Sequence, residues 1–394
     1  MDLTTLGAPP GPVAQLRGHT AGIQSVQYLS SDVLLSGSED GEVRVWQLKR
    51  RRPLAVLSAN PSGGGHQHGI LRIDCTAIQI NRTLIQSRDG TIAIWDSERL
   101  ASGDTGAGRC GRISTGAHHF CQIALPRWPS ADSSSSSSSG GGGAATAALP
   151  QQCVLAPCEE QSRLQLWDLR AQAPQLSIDA PADAADGTKS AGMVMCCRLL
   201  GGGARPLAAA GYEDGSLACF DLRAAAASSS SSSGSSSGRA LVARAKLHDE
   251  PLMCFDIAPN MAAGASASAG ALVRVFSLDL QGSSCKGGGD SGVGGGGSGG
   301  DDNSGAIAVR STFELATPGM ACVESRGDGA LFACGGWDAR VRLYRWARPA
   351  PLAVLACHED TVASIAFHPD AAATGEFAAG SRDCRISIWR MYGG

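Results

Sequence analysis

The chain lacks a surplus of charge of either sign. Its 33 basic and 36 acidic residues leave a formal net charge of -3 over 394 residues. That balance gives no electrostatic case for a nucleic acid or a membrane surface as a direct partner. Aromatic residues are scarce, at 5%, so an aromatic that recurs at regular points carries information. No stretch approaches the roughly eighteen apolar residues of a membrane span. Residues 1–12 have neither a basic start nor an apolar core, and no secretory leader is expected. None of the 14 cysteines forms a C-x-x-C pair, which removes zinc ribbons and thioredoxin-type sites. Cys75, Cys219, Cys254, Cys322 and Cys334 lie in apolar runs, where a free thiol acts as a small hydrophobe. Reduced cytosol or nucleus is the expected compartment. The sequon Asn81-Arg82-Thr83 therefore carries no weight. Sustained helical periodicity is missing too, and the chain reads as all-β.

What the chain has is repetition. Ser36-Gly37-Ser38-Glu39-Asp40-Gly41 runs into Val43-Arg44-Val45-Trp46, and Ala379-Gly380-Ser381-Arg382-Asp383-Cys384 runs into Ile386-Ser387-Ile388-Trp389. Each is a small apolar strand, an Asp-containing turn and an alternating strand that ends in an aromatic. Asp40-Gly41 and Asp89-Gly90 are hairpin-turn dipeptides, because glycine accepts positive φ without strain. The terminal aromatics form a ruler: Trp46, Trp95, Trp167, Phe220, Phe276, Tyr344 and Trp389. Their spacings are 49, 72, 53, 56, 68 and 45 residues. A four-stranded propeller blade repeats about every 40–45 residues.

The longer spacings coincide with three low-complexity inserts, at 130–148, 224–238 and 281–305. Such Ser-, Ala- and Gly-rich tracts cannot bury enough apolar surface to offset their ordering entropy, and flexible surface loops are expected. Seven copies follow, at about 13–57, 58–108, 109–178, 179–246, 247–315, 316–355 and 356–392. Each is expected to offer the same strands. The last lacks a fourth strand, while Val13-Ala14-Gln15-Leu16 has no repeat of its own. The expectation is one seven-bladed β-propeller over 1–394, closed by the N-terminal strand completing the last blade.

Gly18-His19, an Asp-Gly turn and a Trp form the WD40 signature. The resemblance implies a hydrogen-bonded structural network of His, strand Ser, turn Asp and Trp. It maps onto His19, Ser36, Asp40 and Trp46 in the first repeat. In the last it maps onto His358, Asp383 and Trp389, with Ala379 at the Ser position. Asp89 and Trp95 match in the second, with His66 or His68 as its His. Trp167, Asp214, His248 and Asp338 are partial matches in the middle repeats, beside Phe220 and Tyr344.

Ala210-Gly211-Tyr212-Glu213-Asp214-Gly215-Ser216, Cys334-Gly335-Gly336-Trp337-Asp338 and Pro351 to His358 extend the likeness. Together with the ending through Met391-Tyr392, the chain resembles the guanine nucleotide-binding protein β-subunit-like protein 1 group, also called ASTRA-associated protein 1. That resemblance implies a non-catalytic propeller in a chromatin-associated assembly, tied to co-chaperone machinery that matures phosphatidylinositol-3-kinase-related kinases. Protein partners in nucleus and cytoplasm, and no cofactor, are the corresponding expectations. A Gγ subunit is not expected: Pro9, Pro10 and Pro12 leave no room for a coiled-coil heptad before the first strand.

Signals of chemistry are weak. Gly234-Ser235-Ser236-Ser237-Gly238 satisfies G-x-S-x-G but lies inside a Ser tract rather than between a strand and a helix. His66-Gln67-His68 and His118-His119 lack a third metal ligand at suitable spacing. Asp186-Gly187-Thr188-Lys189-Ser190 lacks the spacing that cradles phosphate. Lys49-Arg50-Arg51-Arg52 reads as a solvated turn, with a nuclear signal or an acidic-partner contact as the alternative. No enzyme is expected. Trp167-Asp168-Leu169-Arg170 resembles the box by which some propellers dock onto the adaptor of cullin-4 ubiquitin ligases, with Trp167, Asp168 and Arg170 as the docking residues. Its alternative is the ordinary end of a third strand.

Overall fold

Alternating residues, a tight turn and a terminal aromatic produce the same sheet repeatedly in the computed structural model. It describes residues 11–58, 68–75, 81–104, 108–127, 152–181, 191–200, 206–229, 240–280 and 306–392. The inserts at 130–148 and 281–305, the Gly234–Gly238 and Asp186–Ser190 motifs and His66 lie outside the described residues.

The first strand, β1 (Ala14–Arg17), belongs to the last blade. Blade one is β2 (Ile23–Ser30), β3 (Val33–Ser38), β4 (Glu42–Gln47) and β5 (Arg52–Ser58). Blade two is β6 (Ile70–Asp74), β7 (Arg82–Ser87), β8 (Thr91–Asp96) and, after the short helix α1 (Ser97–Ser102), β9 (Arg109–Ser114). Blade three contains β10 (Pro126–Arg127), β11 (Cys153–Pro157), β12 (Arg163–Asp168) and β13 (Ala173–Asp179). Blade four is β14 (Val194–Leu200), β15 (Leu207–Tyr212), β16 (Ser216–Asp221) and, after helix α2 (Leu222–Ser229), β17 (Leu241–Lys246). Blade five is β18 (Leu252–Ile257), β19 (Ala263–Ser268), β20 (Leu272–Asp279) and β21 (Ala306–Glu314). Blade six is β22 (Met320–Ser325), β23 (Leu331–Gly336), β24 (Arg340–Arg345) and β25 (Pro351–Ala356). Blade seven is β26 (Val362–Phe367), the single turn α3 (Ala371–Thr374), β27 (Glu376–Ser381) and β28 (Arg385–Arg390), completed by β1.

The chain is a seven-bladed propeller. An apolar cluster fills each junction between neighbouring blades, including the one between blades seven and one. All seven ruler aromatics are buried in these clusters or against them. In six blades the outer strand carries one extra residue opposite the ruler aromatic, Leu54 opposite Val45 and Trp46 being the first case. Such bulges bend the strand and increase its twist.

A second bulge recurs near the start of six inner strands, at Ser25, Arg72, Cys196, Cys254, Cys322 and Ser364. Five of these six side chains reach the next blade. The Cys196, Cys254 and Cys322 thiols donate to the carbonyls of Leu252, Met320 and Val362, at 3.3, 3.9 and 3.7 Å. Ser364 Oγ accepts from Val26 N at 3.1 Å, and Ser25 Oγ accepts from Ile73 N at 2.9 Å. Opposite the bulge, glycine lets the next blade approach. A Cβ added at Gly37 would lie 2.6 Å from Ile70 Cγ2, and one at Gly380 would lie 2.8 Å from Ile23 Cγ2.

Two expectations need correction. Blade three does not offer the same elements as the others. Its three regular strands are β11, β12 and β13, and its inner segment touches them through one bridge, Ala124 to Leu155. That segment instead pairs β10 in parallel with β14 of blade four. Gln86 fixes it from blade two, donating to Cys121 O at 3.0 Å and accepting from Ile123 N at 2.9 Å. The insert at 224–238 is not loop throughout either. Its first residues continue α2, where Asp221 Oδ1 accepts from the amides of Arg223 and Ala224 at 2.9 and 3.2 Å. A capped Ala run is a strong helix former.

Strand β1 pairs antiparallel with β28, from Ala14 opposite Ile388 to Arg17 opposite Arg385, and buries Leu16. Deleting residues 1–17 removes ladder bonds each worth about 0.5–1.5 kcal/mol and the burial of Leu16. The melting temperature should fall by several degrees, and the protein should aggregate on heating through the bared β28 edge. An unchanged melting curve by circular dichroism would refute this closure.

Candidate functional site

Trp and His side chains recur where the sequence placed them, and two blades join them into a complete relay. In blade one Trp46 Nε1 donates to Ser36 Oγ at 2.7 Å, and Ser36 Oγ lies 2.6 Å from His19 Nε2. An indole N–H can only donate, so the hydroxyl accepts from Trp46. His19 Nδ1 lies 3.2 Å from Glu42 Oε1 and makes no hydrogen bond among the described residues. Blade seven repeats the chain. Trp389 Nε1 donates to Ser387 Oγ at 2.8 Å, Ser387 stands 2.7 Å from His358 Nε2, and His358 Nδ1 is 2.9 Å from Asp383 Oδ2.

The hydroxyl of blade seven is not at the position that Ser36 occupies. Ser36 lies on β3 directly opposite Arg44 of β4. Ala379 takes that place on β27, and its cross-strand partner is Ser387 on β28. The hydroxyl has moved to the facing residue and serves the same Trp and His. Sequence reasoning missed Ser387 by searching one strand only. Pairing the two positions across the hairpin would have found it.

Asp40 stands apart from the relay of its blade. It accepts from Ser38 Oγ at 2.6 Å, Glu42 N at 3.2 Å and Thr20 Oγ1 at 3.2 Å, so its oxygens hold the turn and the incoming loop. Asp383 does both tasks, taking Arg385 N on one oxygen and His358 with Glu359 N on the other. Burial alone would raise the Asp383 carboxyl. The His358 hydrogen bond and these amides bring it below the usual carboxylate range.

The middle blades keep fragments. His248 meets Ser266 Oγ at 2.9 Å in blade five, where Phe276 replaces the Trp. Asp89 and Asp214 hold their turns through Thr91 and Ser216. Asp338 takes both guanidinium nitrogens of Arg342, at 3.0 and 2.5 Å. Trp95 and Trp167 are buried with no acceptor for their indole N–H among the described residues. The positions that carry hydroxyls in blades one and seven are Ile85 and Ala93 in blade two. In blade three they are Ala156 and Gln165. His68 is exposed on the loop entering blade two, and His119 is buried 3.2 Å from Cys158 O. Lys49 reaches Asp32 at 2.6 Å, and Arg51 occupies a positive-φ turn position.

At the cullin-type box, Trp167 is buried and Arg170 exposed. Asp168 Oδ1 accepts from the amides of Arg170 and Ala171 at 2.8 and 3.4 Å. Asp96 caps α1 and Asp221 caps α2 in the same way after Trp95 and Phe220. This aspartate is a recurring turn and helix cap.

The WD40 family model, "WD domain, G-beta repeat", matches residues 10–47 and 349–390. These stretches hold the closing strand and the two complete relays. Guanine nucleotide-binding protein subunit beta-like protein 1 of Mus musculus is 31% identical over 394 residues, covering 98% of this chain and 97% of its own. ASTRA-associated protein 1 of Aspergillus flavus is 25% identical over 462 residues, covering 99% of each. The protein of that name from Schizosaccharomyces pombe is 42% identical over 74 residues, 19% of each chain.

Burial pushes His19 and His248 down to about 4, so both are neutral in the folded protein. The unfolded chain binds their protons near pH 6.5, and stability is lost as pH falls from there toward 4. Each should contribute a loss of about 2 kcal/mol between pH 7 and pH 5. Urea midpoints measured at both values check this, and His19→Gln should flatten the slope. Asp383→Ala strands a buried imidazole N–H and should destabilise by about 1–3 kcal/mol, more than Asp40→Ala. Equal losses in urea melts would refute the difference in their roles.

Proposed function

Because the chain belongs to the WD40-repeat family of guanine nucleotide-binding protein subunit beta-like protein 1, we propose that it is a non-catalytic adaptor holding protein partners on a rigid disc. The observation that carries this reading is where the recurring polar residues go. The His, Ser and Trp side chains that would suggest chemistry are buried and spent on each other between strands. Repeat folds of this kind present surfaces. Relatives named ASTRA-associated protein 1 support a setting in an ASTRA-like chromatin-associated assembly. On the same reading the protein serves co-chaperone machinery that matures phosphatidylinositol-3-kinase-related kinases, in nucleus and cytoplasm.

Tagged full-length protein recovered from cells and analysed by mass spectrometry tests the reading. Subunits of such an assembly should be recovered, and trimming 133–143, 230–238 and 287–300 should leave recovery nearly intact. Ordering Ser/Gly tracts on binding costs entropy and offers little apolar area. Loss of every partner on trimming would transfer the function to the inserts. Arg170→Ala should change nothing. Selective loss of a cullin-4 adaptor in that variant would instead establish the ubiquitin-ligase reading.

A further inference from the structure

One face of the disc carries the turns between second and third strands. In six blades the residue after the second strand donates its amide to the loop entering its own inner strand. These residues are Glu39, Arg88, Glu213, Ala269, Trp337 and Arg382, bonded to the carbonyls of Gly22, Gly69, Met193, Pro251, Gly319 and Thr361. They are therefore equivalent positions on a crown. Four are charged, and Arg382 pairs with Glu39 across the seam at 2.9 Å. Trp337 is the exception in bulk, and it is 44% exposed. Its neighbour on the crown in blade five is Ala269, which leaves the side of the indole toward blade five uncovered.

Two glycines lie between them. The indole rests against Gly319, at φ +94, where an added Cβ would fall 2.0 Å from Trp337 Cε3. Gly319 N donates to Gly270 O at 3.0 Å. Over Gly270 stands the carboxylate of Glu250, 2.7 Å from where a Cβ would be. The result is a shallow notch in which the indole covers one glycine and the carboxylate covers the glycine hydrogen-bonded to it. Glu250 and its exposed neighbour Asp249 have no ion pair among the described residues; Glu250 receives only a 3.5 Å contact from Ser268 Oγ. An exposed aromatic seated on glycine and faced by an unneutralised carboxylate fits a long side chain with a cationic head.

We propose that this notch, between blades five and six, is a docking site for a Lys or Arg side chain on an extended segment of a partner protein. The exposed indole of Trp337 takes the cation, and Glu250 completes its neutralisation. The inference rests on the adaptor reading and adds to it the place and chemistry of one contact.

Fluorescence polarisation with the full-length protein and a labelled peptide, (Gly-Arg-Gly-Lys) repeated three times, tests it against a Gln-substituted peptide. The basic probe should bind and the neutral one should not. Trp337→Ala and Glu250→Gln should each weaken binding about tenfold, whereas Glu213→Gln on blade four should not. Glu250→Gln and Glu213→Gln remove the same charge, so equal losses would mean diffuse attraction and overturn the site. No binding of the basic probe, or self-association abolished by Trp337→Ala, would overturn it as well. Glu250→Gln alone decides if Trp337→Ala fails to fold. Cellular recovery separates the two readings. Partners kept by both variants would discard this notch and leave the adaptor standing, while no partners for the unaltered protein would discard the adaptor.

Discussion

Everything in this molecule depends on a ring that closes. A blade is apolar on both faces and cannot be covered by itself. Seven blades solve this only if the last meets the first. Six junctions are joined by continuous chain. The seventh is joined by β1, whose Leu16 enters the same cluster as Ile23, Val26 and Trp46 of blade one and Ile386 of blade seven. A chain that left this junction open would expose two apolar faces and one strand edge together.

Closure also fixes how tightly blades may approach, and this explains residues that look unrelated in the sequence. The inner-strand bulge turns a small hydroxyl or thiol toward the next blade, and the glycine opposite admits that blade's first apolar side chain. Cys196, Cys254 and Cys322 thus do the work of Ser25 and Ser364. Burial pushes the Cys322 thiol up to about 12, and those of Cys196 and Cys254 rise for the same reason. Protonated thiols of this kind are inert. The cysteine richness of the chain is in large part a matter of packing.

Much of this was legible in the sequence. Alternating strands, Asp-Gly turns and a recurrent aromatic are local signals, and they gave blade number, order and the closing strand. What escaped depends on pairs distant in sequence. Ser387 replaces Ser36 only when β27 and β28 are set in register. The departure of blade three depends on Gln86 and on β14, which lie one blade to either side of it. Helix α2 escaped because an Ala/Ser tract reads compositionally as loop, although Asp221 caps its start. The notch beside Trp337 was equally hidden, since Trp337, Gly319, Gly270 and Glu250 come from four separate turns.

The distribution of the polar relays follows from the same closure. Blades two to six are tethered on both sides by chain, and there the relay decays to fragments or vanishes, leaving the indole N–H groups of Trp95 and Trp167 without an acceptor among the described residues. The two complete relays stand on either side of the one junction that depends on the pairing of β1 with β28. Further polar contacts cross that junction. Tyr28 Oη donates to Glu376 at 3.3 Å, Ser31 Oγ to Asp370 at 3.2 Å, and Arg382 holds Glu39. A hydrogen bond contributes most where nothing else limits separation, because there it opposes ring opening itself rather than a local fluctuation. Among the described residues the complete relays are confined to the two blades that flank the seam, while other polar contacts, such as Arg198 to Asp256 and Gln86 to Ile123, cross the tethered junctions.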